Sequence, residues 1–167
     1  NSDTEVILAL YLKYGNNLSR HLPGMFSFAI WDKEKQLLFC SRDRFGEKPF
    51  YYAFGNNNEF LFASEIKAII ASKLVEPIID EQSLAYYLKR LYVHPSKTIY
   101  SNIYCLPPAH NLVYQNQSIN IHKYWELPLT DDSINLGDAT EEFRYLFNQA
   151  VSKQLVADVP IGIFVSG

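Results

Sequence analysis

The sequence predicts an α+β fold with an antiparallel sheet, followed by the first elements of an α/β unit. Aromatic residues make up 15% of the 167 positions and cluster in short alternating segments, which favours strands over helices. These segments form a meander before most of the helices, an order typical of α+β proteins. Near the end, a helix, an apolar strand and Ser166-Gly167 follow one another as in an α/β nucleotide-binding unit.

The first half of the chain is predicted to contain a helix, four strands and a second helix. Ser2-Asp3-Thr4-Glu5 has the pattern of a capping box, and Gly15 is placed to end the helix that follows it. Ser64 is predicted to cap the second helix, over residues 65–71. Polar turns and one charged loop separate the alternating segments that we predict as strands, at 25–32, 36–41, 50–54 and 59–63.

The second half is predicted to add two helices, a hairpin and a final strand. Asp80 is placed to cap a helix that runs through Leu91, and Thr140 to open a long amphipathic helix. The other predicted elements are an extended segment at 100–106, a hairpin of 109–114 and 119–125, and a strand at 161–165. The predicted domain organisation is therefore a first domain at 1–127, a polar linker at 128–138 and the start of a second domain at 139–167.

Composition and charge describe a folded protein and exclude several functions. Lys and Arg total 15 and Asp and Glu total 18, a net charge of −3, and 48% of the residues are hydrophobic. An acidic balance argues against binding nucleic acid through its phosphates. The apolar runs are far shorter than the roughly 20 residues needed to cross a bilayer. We therefore expect neither a nucleic-acid nor a membrane partner.

The cysteines and histidines show no metal-binding or redox pattern. Cys40 and Cys105 stand far apart, and the four histidines are scattered. Cys40 lies within a predicted strand and is expected to be a small buried residue. We predict no metal site and a reduced, cytoplasmic location, because disulfides are rare in that compartment.

Three features could carry chemistry, and residue spacing alone leaves each open. Asp3 is explained by the helix dipole as well as by binding an ammonium group. Ser166-Gly167 could expose backbone amides to a phosphate, or simply form a turn. In the charged loop at 42–49 a structural role is favoured, because Asp43 and Arg44 can tie it to neighbouring strands. Spacing alone therefore reveals no complete catalytic set.

Longer strings of residues make the chain resemble the glutamine-dependent asparagine synthetases, which are class II glutamine amidotransferases. The strings follow the order and approximate spacing of that family and cover nearly the whole chain. They are SDTEVILALY (2–11), LPGMFSFAIWD (22–32), SRDRFGEKPFYY (41–52), FASEIKA (62–68), KYW (123–125) and DVPIGIFVSG (158–167).

The resemblance implies a two-part enzyme. Its glutaminase domain would be an N-terminal-nucleophile αββα sandwich with antiparallel sheets, in which an N-terminal cysteine hydrolyses glutamine. Ammonia would pass through a tunnel to a synthetase domain of the α/β ATP-pyrophosphatase type. That domain would use ATP and Mg²⁺ to adenylate aspartate. The implied small-molecule partners are therefore glutamine, aspartate and ATP, and a homodimer is left open.

The resemblance also implies roles for individual residues. Asp3, with Ser2, would bind the α-ammonium group of glutamine. Phe164 and Val165 would contact the adenine side of ATP, and Ser166 with Gly167 would open its phosphate cradle. In the family, the nucleophilic cysteine, an arginine and an Asn-Gly segment precede these residues, and the Mg²⁺ ligands follow them.

We expect the chain to be an internal piece of a larger protein, because it begins on a helix start and ends on a strand. We therefore assign no catalytic residue and expect neither reaction, nor tight cofactor binding, from this chain alone. Asn1 stands where the family usually has Gly.

Other functions remain open from the sequence. The parent could resemble a β-lactam synthetase or transfer nitrogen to another carboxylate, and the domain could serve binding or assembly without catalysis. Aspartate as the acceptor rests on family prevalence alone.

Overall fold

The computed structural model describes residues 2–130 and 133–165, which fall in two compact units, Asn1–Glu126 and Leu127–Gly167. A 3₁₀ helix, Gly15–His21, follows the first helix. The helices are α1 (Asp3–Tyr14), α2 (Ile66–Ala71), α3 (Glu81–Arg90) and, in the second unit, α4 (Leu136–Gln154). The strands are β1 (Ser27–Asp32), β2 (Leu37–Arg42), β3 (Tyr51–Phe54), β4 (Phe60–Ala63), β5 (Ile103–Cys105), β6 (His110–Gln115) and β7 (Ser118–Lys123).

The strands form two antiparallel sheets, which confirms the predicted α+β class. One sheet has the order β1-β2-β6-β7 and the other the order β4-β3-β5. In the first hairpin, Ser27 pairs with Arg42 and Asp32 pairs with Leu37. Strands β2 and β3 are each central in their sheet, so both of their edges are hydrogen-bonded to a neighbouring strand.

Alternation along β2 places the four-stranded sheet between two cores, because successive strand residues point to opposite faces. Phe39 is fully buried in a cluster with Tyr11 of α1, and their ring centroids are 5.9 Å apart. Cys40, the next residue, is buried in a second cluster with Tyr52 of β3. Helix α1 therefore covers one face of this sheet, and the three-stranded sheet covers the other.

Alternation along β3 places the three-stranded sheet in the same way. Tyr52 faces the four-stranded sheet, and Ala53 is buried in a third cluster with Ile69 of α2. The rings of Phe60 and Tyr114 stack between the sheets with centroids 4.6 Å apart. The layers thus run α1, four-stranded sheet, three-stranded sheet, α2.

The predicted helix caps were wrong at two helices of the first unit. Ser2 is the N-cap residue of α1, but its side chain makes no capping hydrogen bond. The N–H of Glu5, which a capping box would give to the Ser2 hydroxyl, donates instead to the Ser2 carbonyl at 3.0 Å. Glu65 rather than Ser64 is the N-cap of α2. Gly15 does end α1, and Asp80 caps α3 by accepting the N–H of Ser83 at 3.3 Å.

The second unit departs from prediction at both ends. Helix α4 begins at Leu136 rather than at Thr140, because Asn135 Oδ1 accepts the N–H of Asp138 at 3.0 Å. This helix start lies within the predicted linker. Residues 161–165 are irregular rather than a strand, since a strand requires ladder partners and the described residues give them none. Asn1, Ser166 and Gly167 lie outside the described residues.

A buried polar cluster joins the 3₁₀ helix to the four-stranded sheet. Ser19, Ser41 and Asn111 are fully buried. Asn111 Oδ1 accepts hydrogen bonds from Ser19 Oγ at 2.8 Å and from Ser41 Oγ at 2.7 Å. Its Nδ2 donates to the carbonyl of Asn16 at 3.2 Å. Because that carbonyl can only accept, it fixes the orientation of the Asn111 amide.

His122 completes this cluster in its neutral form. Its Nε2 lies 3.3 Å from Asn111 Nδ2, so Nε2 must accept the hydrogen bond and Nδ1 must carry the proton. Burial, followed by the nearby charges of His110 and Arg20, lowers the pKa of His122. Protonation would make Nε2 a donor that faces another donor, the amide nitrogen of Asn111, and would break this contact.

We expect acid to weaken the fold through His122. The unfolded state, with a pKa of about 6.5, binds the proton more tightly than the folded state, so stability is lost as pH falls below that value. One such proton contributes at most about 1.4 kcal/mol per pH unit to the free energy of unfolding. His122→Gln keeps an acceptor oxygen without a titrating group. Urea unfolding between about pH 7.5 and about pH 5 should show a smaller loss of stability for this variant. An equal loss in both proteins would contradict this account.

Candidate functional site

A cavity of about 630 Å³ opens beside the first turn of α1 and the start of β1. Most of its wall is apolar, formed by Val6, Ile7, Leu22, Pro23, Met25, Phe26 and Pro49. Four polar residues complete the lining, namely Asp3, Ser27, Lys48 and Ser64. The cavity therefore offers one carboxylate, one ammonium group and two hydroxyls in mainly apolar surroundings.

Asp3 comes to this cavity as the first residue of α1. A carboxylate is favoured there, because the helix dipole places partial positive charge at the N-terminus. Asp3 thus lines a cavity, and its role in binding a ligand stays a prediction. Ser2, the other residue predicted to contact glutamine, is exposed and is not among the cavity-lining residues.

The loop that brings Lys48 and Pro49 to the cavity is organised by Asp43. This residue is 1% exposed, and its carboxylate accepts three backbone N–H groups. Oδ1 accepts from Phe45 at 3.1 Å and from Glu47 at 3.0 Å, and Oδ2 accepts from Lys48 at 2.9 Å. Hydrogen bonds to a charged acceptor are the strong ones, so the loop is held in one conformation.

Arg42 holds the same loop from its other side. Its guanidinium donates to the carbonyls of Lys48 at 2.8 Å, of Gly46 at 2.7 Å and of Leu106 at 2.7 Å. It also donates to Cys105 Sγ at 3.0 Å. Because Leu106 follows β5, this one side chain joins the loop after β2 to the other sheet.

Gly46 is required for this close arrangement. Its φ is +68°, a region that side-chain-bearing residues rarely adopt. A Cβ atom at this position would lie 2.7 Å from Pro108 Cγ and 3.0 Å from the Arg42 guanidinium carbon. Only glycine lets the loop approach Arg42 without a clash.

Lys48 and Pro49 therefore form a fixed part of the cavity wall. The N–H of Lys48 donates to Asp43 and its carbonyl accepts from Arg42. Ser27 Oγ donates to the carbonyl of Pro49 at 2.9 Å. Arg44 Nη1 donates to the carbonyl of Leu22 at 2.7 Å. A structural role of Asp43 and Arg44 is confirmed, but their side chains bond to the loop itself and to Leu22 rather than to neighbouring strands.

The family model that matches this chain is described as a glutamine amidotransferase domain, and the match covers residues 1–125. The chain belongs to this family. All the residues that line the cavity lie within the part of the chain that this glutamine amidotransferase model matches.

Curated relatives match almost the whole chain. A Bacillus subtilis protein named "Asparagine synthetase [glutamine-hydrolyzing] 3" is 39% identical over 170 residues, which is 99% of this chain and 27% of the relative. A Methanocaldococcus jannaschii protein named "Putative asparagine synthetase [glutamine-hydrolyzing] 2" is also 39% identical, over 99% of this chain and 33% of the relative. "Amidase chry2" of Gibberella zeae is 37% identical over the full chain and 25% of its own length. The chain thus spans about a quarter to a third of these relatives.

Neither cysteine of the glutamine amidotransferase domain is placed as a nucleophile. Cys40 and Cys105 are both buried and unpaired with each other. Burial raises the pKa of the Cys40 thiol to about 12. Burial also raises the pKa of Cys105, against the opposing effect of the Arg42 charge. Both thiols stay protonated near neutral pH, which confirms the prediction that Cys40 is a buried apolar residue.

Two of the remaining predicted site residues, Ser166 and Gly167, lie outside the described residues. Phe164 and Val165, predicted to contact adenine, are exposed in irregular chain, and their role stays a prediction. Among the described residues, no group of three or more His, Cys, Asp or Glu is arranged to hold a metal ion. No described helix has the length and apolar character that a membrane span requires.

Sequence reasoning missed most of the cavity wall. Met25 and Phe26 were assigned only to a predicted strand, and Lys48 only to a charged loop with a structural role. One signal was available, since Lys48 is a cation whose backbone is restricted by Pro49, the next residue. Its position at a cavity depends on the contacts of Arg42 with residues that are distant in the sequence.

We expect Asp43→Asn to destabilise the domain. The change removes the charge and replaces one acceptor oxygen with a donor, leaving backbone N–H groups of the loop without a partner. The expected loss is about 1–3 kcal/mol in the free energy of unfolding, measured by urea denaturation.

Glu47→Gln is the matched control, because Glu47 is an exposed carboxylate of the same loop. Its free energy of unfolding should stay within about 0.5 kcal/mol of the parent. An Asp43→Asn variant as stable as this control would contradict the role assigned to Asp43.

Proposed function

We propose that this chain is part of a glutamine-dependent asparagine synthetase, and that the cavity beside α1 binds the glutamine that supplies nitrogen. The observation that carries the proposal is Asp3, a carboxylate lining a small cavity within a glutamine amidotransferase domain. Relatives named as glutamine-hydrolysing asparagine synthetases match 99% of the chain, which supports this choice of reaction.

The chemistry of the cavity suits glutamine. An ammonium group donates charge-assisted hydrogen bonds to a carboxylate such as Asp3. The apolar wall, including Met25 and Phe26, suits the two methylene groups of the glutamine side chain. The volume of about 630 Å³ lies within the usual range for small-molecule sites.

The proposed glutaminase fold is an N-terminal-nucleophile αββα sandwich, and the layer order of helix, sheet, sheet and helix supports it. In the proposed reaction, the thiol of an N-terminal cysteine outside this sequence attacks the side-chain amide carbon of glutamine. Its own α-amino group takes the thiol proton and passes it to the departing ammonia. Water then hydrolyses the thioester to release glutamate.

The second unit is proposed as the start of an ATP-dependent synthetase domain of the α/β ATP-pyrophosphatase type. Phe164, Val165, Ser166 and Gly167 would lie at ATP, which with Mg²⁺ would activate aspartate for attack by ammonia. The stacked rings of Phe143 and Phe147 support a further domain, since α4 exposes them and buries no residue in the described chain. A cytoplasmic location and a homodimer belong to the same proposal.

A second function is supported by the amidase relatives. Amidase chry2 and amidase chyE match 100% and 99% of this chain at 37% and 34% identity. The parent protein would then form or cleave an amide on a carboxylate other than aspartate. The acceptor distinguishes the two functions, because the glutamine cavity would serve either one.

Asp3→Asn in the full-length protein should separate the two half-reactions. Loss of the ammonium contact should lower kcat/KM for glutamine-dependent asparagine formation by about 10–100-fold. Asparagine formation from free ammonia should remain unchanged, because that route bypasses the cavity. The readout is asparagine formed from aspartate and ATP with each nitrogen source.

Glu34→Gln is the control, because Glu34 is an exposed carboxylate in the turn between β1 and β2. It should leave both nitrogen sources unaffected. Equal loss with glutamine and with ammonia would contradict the role of Asp3. A parent protein that forms no asparagine from either source would favour the second function.

A further inference from the structure

Two opposite charges line the cavity without neutralising each other. Asp3 and Lys48 both belong to its wall. The ion pairs of the described chain join Lys35 to Asp32, Lys67 to Glu65 and Lys123 to Glu126, and they include neither residue. The wall therefore presents a carboxylate and an ammonium group that are both available to a ligand.

The backbone of Lys48 is held in place by hydrogen bonds to two buried side chains. Its N–H donates to Asp43 at 2.9 Å and its carbonyl accepts from Arg42 at 2.8 Å, and both of these partners are buried. The carbonyl of Pro49, the next residue, accepts a hydrogen bond from Ser27 Oγ of β1 at 2.9 Å. The origin of the Lys48 side chain is thus fixed in the wall, while its flexible four-carbon stem can adjust to a ligand.

A zwitterionic α-amino acid matches this pair of charges. It carries an ammonium and a carboxylate group on one carbon, whereas a simple amine or acid carries only one of them. Charges also interact more strongly beside low-dielectric walls than in bulk water, and most of this wall is apolar. The cavity can therefore select for both groups together.

We propose that Lys48 is a specificity-determining residue that contacts the α-carboxylate of glutamine, while Asp3 contacts its α-ammonium. This inference rests on the proposed glutaminase function and adds a residue of this chain to it. Lys48 would act beside the arginine that the resemblance implies upstream. Its role is to reject amides that lack the carboxylate.

Lys48→Met in the full-length protein is the first test. It keeps the length of the stem and removes the charge, so kcat/KM for glutamine hydrolysis should fall by about 10–100-fold. Lys48→Arg, which keeps a cation, should recover most of that loss. Lys33→Met removes the same charge from an exposed turn and should leave kcat/KM unchanged. Equal kcat/KM for Lys48→Met and the parent would overturn the proposal.

Two glutamine analogues separate a carboxylate contact from a structural effect. Glutaramate lacks the α-amino group, and 4-aminobutanamide lacks the α-carboxylate. As inhibitors of glutamine hydrolysis, they should respond to the variants in opposite ways. Lys48→Met should raise the inhibition constant of glutaramate about tenfold or more and leave that of 4-aminobutanamide unchanged. Asp3→Asn should weaken 4-aminobutanamide and leave glutaramate unchanged.

The possible outcomes test the role of Lys48 and the proposed glutaminase function separately. If Lys48→Met weakens both analogues equally, Lys48 has a structural role and the proposal is wrong. If neither analogue inhibits, the comparison of Lys48→Met with Lys48→Arg in kcat/KM decides. If the parent protein hydrolyses no glutamine, the proposed function itself fails.

Discussion

The buried residues Arg42 and Asp43 at the end of β2 are the constraint on which the rest of the first unit depends. Burying charged groups is costly unless each finds hydrogen-bonding partners, and these side chains bond to seven groups between them. The backbone groups of Arg42 and Asp43 are hydrogen-bonded as well. The Asp43 N–H donates to Phe26 at 2.9 Å, its carbonyl accepts from Ala109 at 2.8 Å, and the Arg42 carbonyl accepts from Tyr124 Oη at 2.9 Å.

This arrangement connects stability to the proposed function. The groups that accept from Arg42 or donate to Asp43 lie in the loop after β2 and at the end of β5 with the residue that follows it, so neither segment can move alone. That loop presents Lys48 and Pro49 to the cavity, and α1 presents Asp3 to the same cavity. A ligand would meet a site whose wall is ordered before binding, which reduces the entropy lost on association.

Local patterns were sufficient for the strands of the first unit and insufficient for contacts between distant residues. Alternating aromatic residues identified β1 to β4 to within a few residues, because strand faces impose a period of two. The start of α4 was missed because Asn135, a better-placed cap, lies in a polar stretch that resembled a linker. Asp3 was found through the family resemblance, since a first-turn carboxylate is common for other reasons. Lys48 was missed because Arg42, which fixes it, also bonds to Leu106, 64 positions away.

Native-state hydrogen exchange of the backbone amides of Phe45, Glu47 and Lys48 tests the central claim most directly. If buried Asp43 holds this loop, these three amides exchange only on global unfolding, as slowly as the amides of β2. The account is contradicted if they exchange at the rates of an exposed loop while β2 stays protected.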